Sequence, residues 1–166
     1  MACTHADDDL AYVQAVMGAD LDTVLVFNLL RTHSFLSPFI DGDLRREHLT
    51  SAQFNALLVL RAAGAAGLLM GQIGQRLVVT KSNVTGLVDR LERNGLVVRS
   101  DHHDRRATVV RLTDVGEAVL GRTGPRHAAV LGELTGRLSE GEKQTLVRLL
   151  TKLRRELRRL RRRESE

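Results

Sequence analysis

The sequence predicts a mainly α-helical fold with a small antiparallel β element of two or three strands set into the middle of the chain. Three observations carry this. Apolar residues recur at helical spacing over most of the length, the period changes to two only between Val97 and Leu112, and Thr or Ser residues able to cap helices stand just ahead of several apolar runs.

Taken in order, Leu10, Val13, Val16 and Met17 suggest a short helix that breaks at Gly18. From Asp20 to about Phe39, Leu21, Val24, Leu25, Leu29 and Leu36 share one helical face, which predicts a long, substantially buried helix. Pro38 is expected to end it, and Asp41, Gly42 and Asp43 to form a turn. Thr50 stands three residues before Gln53, the spacing of a capping box, and opens a helix carrying Phe54, Leu57, Leu58 and Leu60; Gly64 and Gly67 close it.

A short helix over about Met70 to Leu77 follows, with Ile73 and Leu77 inward. After Val78 and Val79, Thr80 is placed to cap a helix running to Asn94, whose inward face is Val84, Leu87, Val88 and Leu91, and Gly95 supplies its left-handed end. Val97 and Val98 read as one strand and Ala107 to Leu112 as a second, with His102 to Arg106 as the hairpin tip. Thr113 caps a helix through Val115, Ala118 and Leu120, expected to bend or break near Gly124 and Pro125 before continuing through Val130 and Leu134. Ser139 and Glu142 form a second capping box, opening a helix with Leu146, Leu149, Leu150, Leu153, Leu157 and Leu160 on one stripe.

Bulk properties narrow the function. A chain of 166 residues suits one compact domain, or a small domain with an oligomerisation element. No apolar run approaches the roughly 18 residues of a membrane span, the acidic start does not read as a secretory signal, and the single cysteine, Cys3, suits a reducing compartment. A cytoplasmic protein with no membrane partner is expected. The formal charge is +5, and the segment 151–166, with eight basic and three acidic side chains, supplies all of it. Such an end favours polyanions through counterion release.

The constellation that carries function is the helix pair at 70–94. Two helices joined by a three-residue turn match the geometry that lays a recognition helix in the major groove of DNA. Opposite the apolar face of the second lie Ser82, Gly86, Asp89, Arg90 and Arg93, flanked by Asn83 and Thr85. Short polar side chains near the helix start let the backbone approach base edges, while Lys81 and Arg90 suit phosphates. The hairpin tip offers Asp104, Arg105 and Arg106, and an arginine held out on a ribbon suits the electronegative minor groove. His102 and His103 beside Asp101 and Asp104 suggest a metal at first sight, but adjacent histidines in a hairpin seldom converge on one ion. No metal or other cofactor is expected. Nor is there a phosphate-cradling glycine loop, a nucleophile elbow or a paired-carboxylate site that would mark an enzyme.

Thr50 with Gln53, the run Thr80 to Leu96 closing in Leu91, Glu92, Gly95 and Leu96, then Arg99, the Asp104–Arg106 turn, Leu112, Thr113 and Gly116 resemble the MarR family of winged helix-turn-helix regulators. The resemblance spans about Leu21 to Leu160 in element order. It implies a homodimer whose first and last helices (1–45 and 113–166) pair, and a winged lobe (46–112) that reads half of a pseudo-palindrome. The candidate DNA contacts are Thr80, Lys81, Ser82, Asn83, Thr85, Gly86 and Arg90 on the helix and Asp104, Arg105 and Arg106 in the wing, where the resemblance matches Asp104 and Arg106 to the acidic residue and the arginine that bracket the tip. The resemblance also implies an effector pocket for a small aromatic or phenolic molecule near Arg31, His33, Phe35, Phe54 and Asn55. Gly86 stands where many relatives carry a larger polar side chain, and Val78 where a turn glycine is frequent. The expected activity is sequence-specific repression relieved by that effector. A nonspecific architectural nucleic-acid binder using the basic C-terminal helix, and a helical protein-interaction module, are the alternatives.

Overall fold

The computed structural model describes Ala15 and residues 20–77, 81–101 and 108–163. Its elements are α1 (Leu21–Leu44), α2 (Ser51–Ala63), β1 (Leu68–Leu69), α3 (Met70–Leu77), α4 (Lys81–Arg93), β2 (Val97–Asp101), β3 (Thr108–Leu112), α5 (Asp114–Leu134) and α6 (Glu140–Arg163), with short 3-10 turns at Arg45–Glu47 and Gly64–Ala66. Ala15 is helical; the rest of the short helix expected before Asp20 lies outside the described residues.

Local chemistry explains most element ends. Asp20 caps α1, its carboxylate accepting from the Thr23 amide at 3.0 Å and the Thr23 hydroxyl at 2.7 Å. The Thr50–Gln53 capping box forms in both directions, at 3.2 Å and 2.9 Å. Its counterpart at Ser139 forms with Glu142, whose carboxylate takes the Ser139 amide at 2.7 Å. Gly95 ends α4 at φ 68, in the left-handed region that favours glycine.

Two breaks expected from proline do not occur. α1 runs on through Pro38 and through the Asp41–Asp43 segment to Leu44, and the chain turns instead at His48, which holds a left-handed φ of 54. Proline in a helix interior costs about 3 kcal/mol. The last turn of α1 buries Leu44 completely and packs Ile40 against the core, and full burial of such side chains contributes about 1.5–3 kcal/mol each. Burial thus offsets the break. α5 likewise passes Gly124 and Pro125 without interruption, and the residues on either side, Thr123 and His127, are buried.

The chain divides into two compact units, residues 1–127 and 128–166. In the first, a three-stranded antiparallel sheet has the order β1-β3-β2, with Leu68 opposite Val110 and Arg99 opposite Val110 from the other side. α2, α3 and α4 pack on it around Leu57, Leu60, Ile73, Val84, Val88, Leu91, Val110 and Leu120, all essentially without exposure. Among the described residues no buried side-chain nitrogen or oxygen lacks a hydrogen-bond partner. In the second unit, α6 carries its leucines on one stripe, and Leu146, Leu149, Leu150, Leu157 and Leu160 remain exposed.

α1 departs from expectation in burial. Only Val24 and Leu44 are buried, whereas Leu21, Leu25, Val26, Leu30, Phe35 and Phe39 are exposed, Leu21 at 77%. Its apolar surface is wider than this chain covers.

The end of α1 is tied to α5 by ions. The Asp43 carboxylate, 6% exposed, takes the Arg126 Nε at 2.6 Å and lies 3.2 Å from His127 Nδ1. Arg126 also reaches the Asp43 carbonyl at 3.2 Å and Glu47 at 3.8 Å, and the His127 ring meets Phe54 edge-on at 4.8 Å. Burial works to raise the Asp43 carboxyl, but the hydrogen bonds and charges of Arg126 and His127 outweigh it and hold the group below its ordinary value.

Candidate nucleic-acid interface

α4 is amphipathic in the sense a reading helix needs. Val84, Leu87, Val88 and Leu91 are between 0% and 4% exposed and fix one side of the helix to the core. Asn83, Thr85, Arg90 and Arg93 are exposed on the rest of its surface. A Cβ at Gly86 would meet nothing within 4 Å, so that stretch of the outward face is flat and its backbone is open to close approach. Lys81 and Ser82 sit in the first turn of α4, while Thr80 and the inter-helix turn lie outside the described residues.

One outward residue does something the sequence reading did not assign. Asp89, expected on the open face, binds the Arg99 guanidinium at 2.5 Å, and Glu92 binds the same guanidinium at 2.5 Å from the other side. The Glu92 carboxylate also takes the Arg99 amide at 3.0 Å. Arg99 thus locks strand β2, the first strand of the hairpin, to α4. The signal was present in the sequence: two acids three apart on a helix, followed seven residues after the second by an arginine on the next strand, though only packing decides that they meet. We expect Arg99→Gln to cost about 1 kcal/mol in urea unfolding, since the pair is part-exposed and such pairs are weak. An unchanged midpoint would show that the lock carries no stability.

Two further contacts set the base of the hairpin. Arg111 on β3 donates from Nε to the Ala65 carbonyl at 2.9 Å and touches the Ser100 hydroxyl on β2. Gly67, at φ +67, passes so close to Val110 that a Cβ would lie 2.5 Å from its carbonyl oxygen, which is how β1 reaches β3. Where the strands meet α4 and α5 the Thr113 hydroxyl donates to the Gly95 carbonyl at 2.7 Å and accepts from the Gly116 amide at 3.0 Å, capping α5 as expected. The hairpin tip with Asp104, Arg105 and Arg106, and the two histidines beside it, lie outside the described residues.

The residues expected to line an effector pocket differ in exposure. Arg31 lies over the Phe35 ring at 5.6 Å on the exposed side of α1, with His33 exposed nearby. Phe54 is a core residue, 3% exposed, and Asn55 next to it is exposed. A cleft of about 220 Å³ between Arg61, Ala65, Arg111, Asp114 and Glu117, and a shallow depression along Asp22, Thr23, Val26, Phe27 and Leu30, contain none of the five. Among the described residues no three His, Cys, Asp or Glu side chains converge as metal ligands, and no helix is long and apolar enough to cross a membrane.

A helix pair whose second member exposes a polar face, followed by a hairpin locked to that member, defines a winged helix-turn-helix. Residues 49–107 match the MarR family. The HTH-type transcriptional regulator YkoM of Bacillus subtilis is 36% identical over 111 residues, 66% of this chain and 71% of its own length. The regulator PecS of Dickeya dadantii is 30% identical over 141 residues, 83% of this chain and 85% of its own. A MarR family regulator of Streptomyces coelicolor, solved in complex with DNA, superposes with a TM-score of 0.78 at 26% identity, covering 84% of this chain and 89% of that one. The chain belongs to the MarR family and is a DNA-binding transcriptional regulator, in a family of regulators rather than enzymes.

Proposed function

We propose that this protein is a homodimeric repressor that binds a pseudo-palindromic operator in the cytoplasm and is released by a small aromatic or phenolic effector. The observation that carries the reading is α4, buried on Val84, Leu87, Val88 and Leu91 and exposed at Asn83, Thr85 and Arg90. In this reading α4 enters the major groove, with Thr80, Lys81, Ser82, Asn83, Thr85, Gly86 and Arg90 at or near the bases and phosphates. Asp104, Arg105 and Arg106 reach the adjacent minor groove, aimed by the lock of β2 on α4.

Residues 46–112 form the reading lobe, and 1–45 with 113–166 form the dimer. Exposed apolar side chains on α1 and on α6 support pairing, because large uncovered apolar surfaces mark interfaces. Two lobes about 34 Å apart would then read successive major grooves on one side of a duplex. For release, the effector must bind a lobe spacing that DNA does not accept better than the one it does. Arg31 above Phe35 offers a cation beside an aromatic face for an aromatic acid.

Selection from a random duplex library tests the reading and is expected to return an enriched palindrome. Against that sequence, Asn83→Ala should change base preference by a factor of about ten to a hundred at one position per half-site, the discrimination of one good base contact. Arg106→Ala should weaken binding without altering that preference. Enrichment of no palindrome would overturn the reading and favour a module that contacts protein instead.

A further inference from the structure

Outside α4 and the hairpin, the polar side of α6 has no role assigned above. Ten basic and three acidic side chains fall within Glu140–Arg163. The acids are occupied: Glu142 caps Ser139, Glu140 pairs with Lys143 at 3.1 Å, and Glu156 pairs with Arg159 at 2.8 Å. Arg148, Lys152, Arg155 and Arg159 stand at i, i+4, i+7 and i+11, a single stripe, and all four are exposed. Opposite them run Leu146, Leu149, Leu150, Leu153, Leu157 and Leu160. The stripe spans about 16 Å of helix and carries a cation at about every turn.

We propose that this stripe is a second, sequence-independent DNA contact that binds the phosphates of the duplex. The proposal rests on the reading of the protein as an operator-binding regulator. Charge distribution argues for it: outside 151–166 the chain has seventeen side chains of each sign, so its net attraction for a polyanion resides in α6. Arginine predominates, and its planar fork suits phosphate. An anionic membrane is the poorer fit, because the leucine face of α6 that would enter the lipid is the one the dimer reading covers. α4 reads bases in this scheme and α6 adds affinity on any sequence.

The test compares wild type with R148Q/K152Q/R155Q/R159Q and with the charge-retaining R148K/R155K/R159K. Glutamine and lysine are as good helix formers as arginine, so both variants should keep α6. Affinity is measured across a salt series for the selected operator duplex and for a scrambled duplex of equal length. Each phosphate that the protein ceases to neutralise lowers the slope of log Kd against log salt by about 0.9, so the glutamine variant's slope should fall by about 2 or more per dimer. Both duplexes should weaken by the same factor, and the lysine variant should keep the wild-type slope. A wild-type slope in the glutamine variant, with the operator still bound, would overturn this proposal alone. Loss of base preference in that variant would overturn it too, by showing that α6 acts on the reading lobes. Co-sedimentation of wild type with phosphatidylserine vesicles alongside an unchanged slope would assign the stripe to membranes. If wild type selects no sequence, the operator reading falls as well.

Discussion

Replacing Gly116 with alanine should destabilise the protein by about 3 kcal/mol, toward the upper end of the penalty for overfilling a packed site. In most helices the same change helps, because glycine is about 1 kcal/mol worse than alanine in a helix interior. Here the new methyl would overlap the Leu96 carbonyl oxygen and lie 2.8 Å from the Leu112 side chain. A carbonyl fixed by its hydrogen bond from the Thr113 amide at 3.1 Å cannot swing aside as a flexible side chain would. Relief therefore requires α5 to move off the hairpin base, and with it the ends of β2 and β3. Gly121, in the same helix but with open space around its missing Cβ, is the internal control. Gly121→Ala should stabilise by about 0.5–1 kcal/mol. Urea unfolding of the two variants should give opposite signs; a stabilising Gly116→Ala would mean that α5 does not meet the hairpin as closely as described.

The second large effect is expected at Asp43. Asp43→Ala should cost about 2–3 kcal/mol near neutral pH, less than the 3–5 of a fully buried broken pair because Arg126 is 31% exposed and keeps Glu47 as a partner. The pH dependence follows from the direction of the shift. The carboxyl is held below its ordinary value in the folded protein, so its stabilisation is complete above the unfolded-state value of about 4. It is lost as pH falls through the lower folded-state value. The gap between wild type and variant should thus shrink as pH falls below about 4. A gap that persisted undiminished at pH 2 would show that packing around Phe54 and His127, rather than the charge, is what the substitution removes.

Asp43 joins the last turn of α1, a helix that leaves much apolar surface uncovered, to α5. None of its partners is evident from local pattern: Arg126 and His127 lie more than eighty residues away, and the Asp41–Asp43 segment reads as a turn. The same blindness explains Pro38 and Pro125, where local rules predict a break and burial of Leu44, Thr123 and His127 overrides them.

What was legible was local. The capping boxes at Thr50 and Ser139, the left-handed Gly95, the cap at Thr113 and the apolar face of α4 each depend on residues within a few positions of one another. Their spacing alone dictates helix ends and inward faces, and from those the winged helix-turn-helix order follows. Only the tertiary structure decided that Asp89 turns from the open face to hold Arg99, that Gly67 and Gly116 sit where another backbone passes, and that Leu21, Leu25 and Leu30 of α1 stay uncovered. Those outcomes depend on which distant surfaces meet, and a linear pattern with a period of two or 3.6 fixes the side a residue faces but not what lies there.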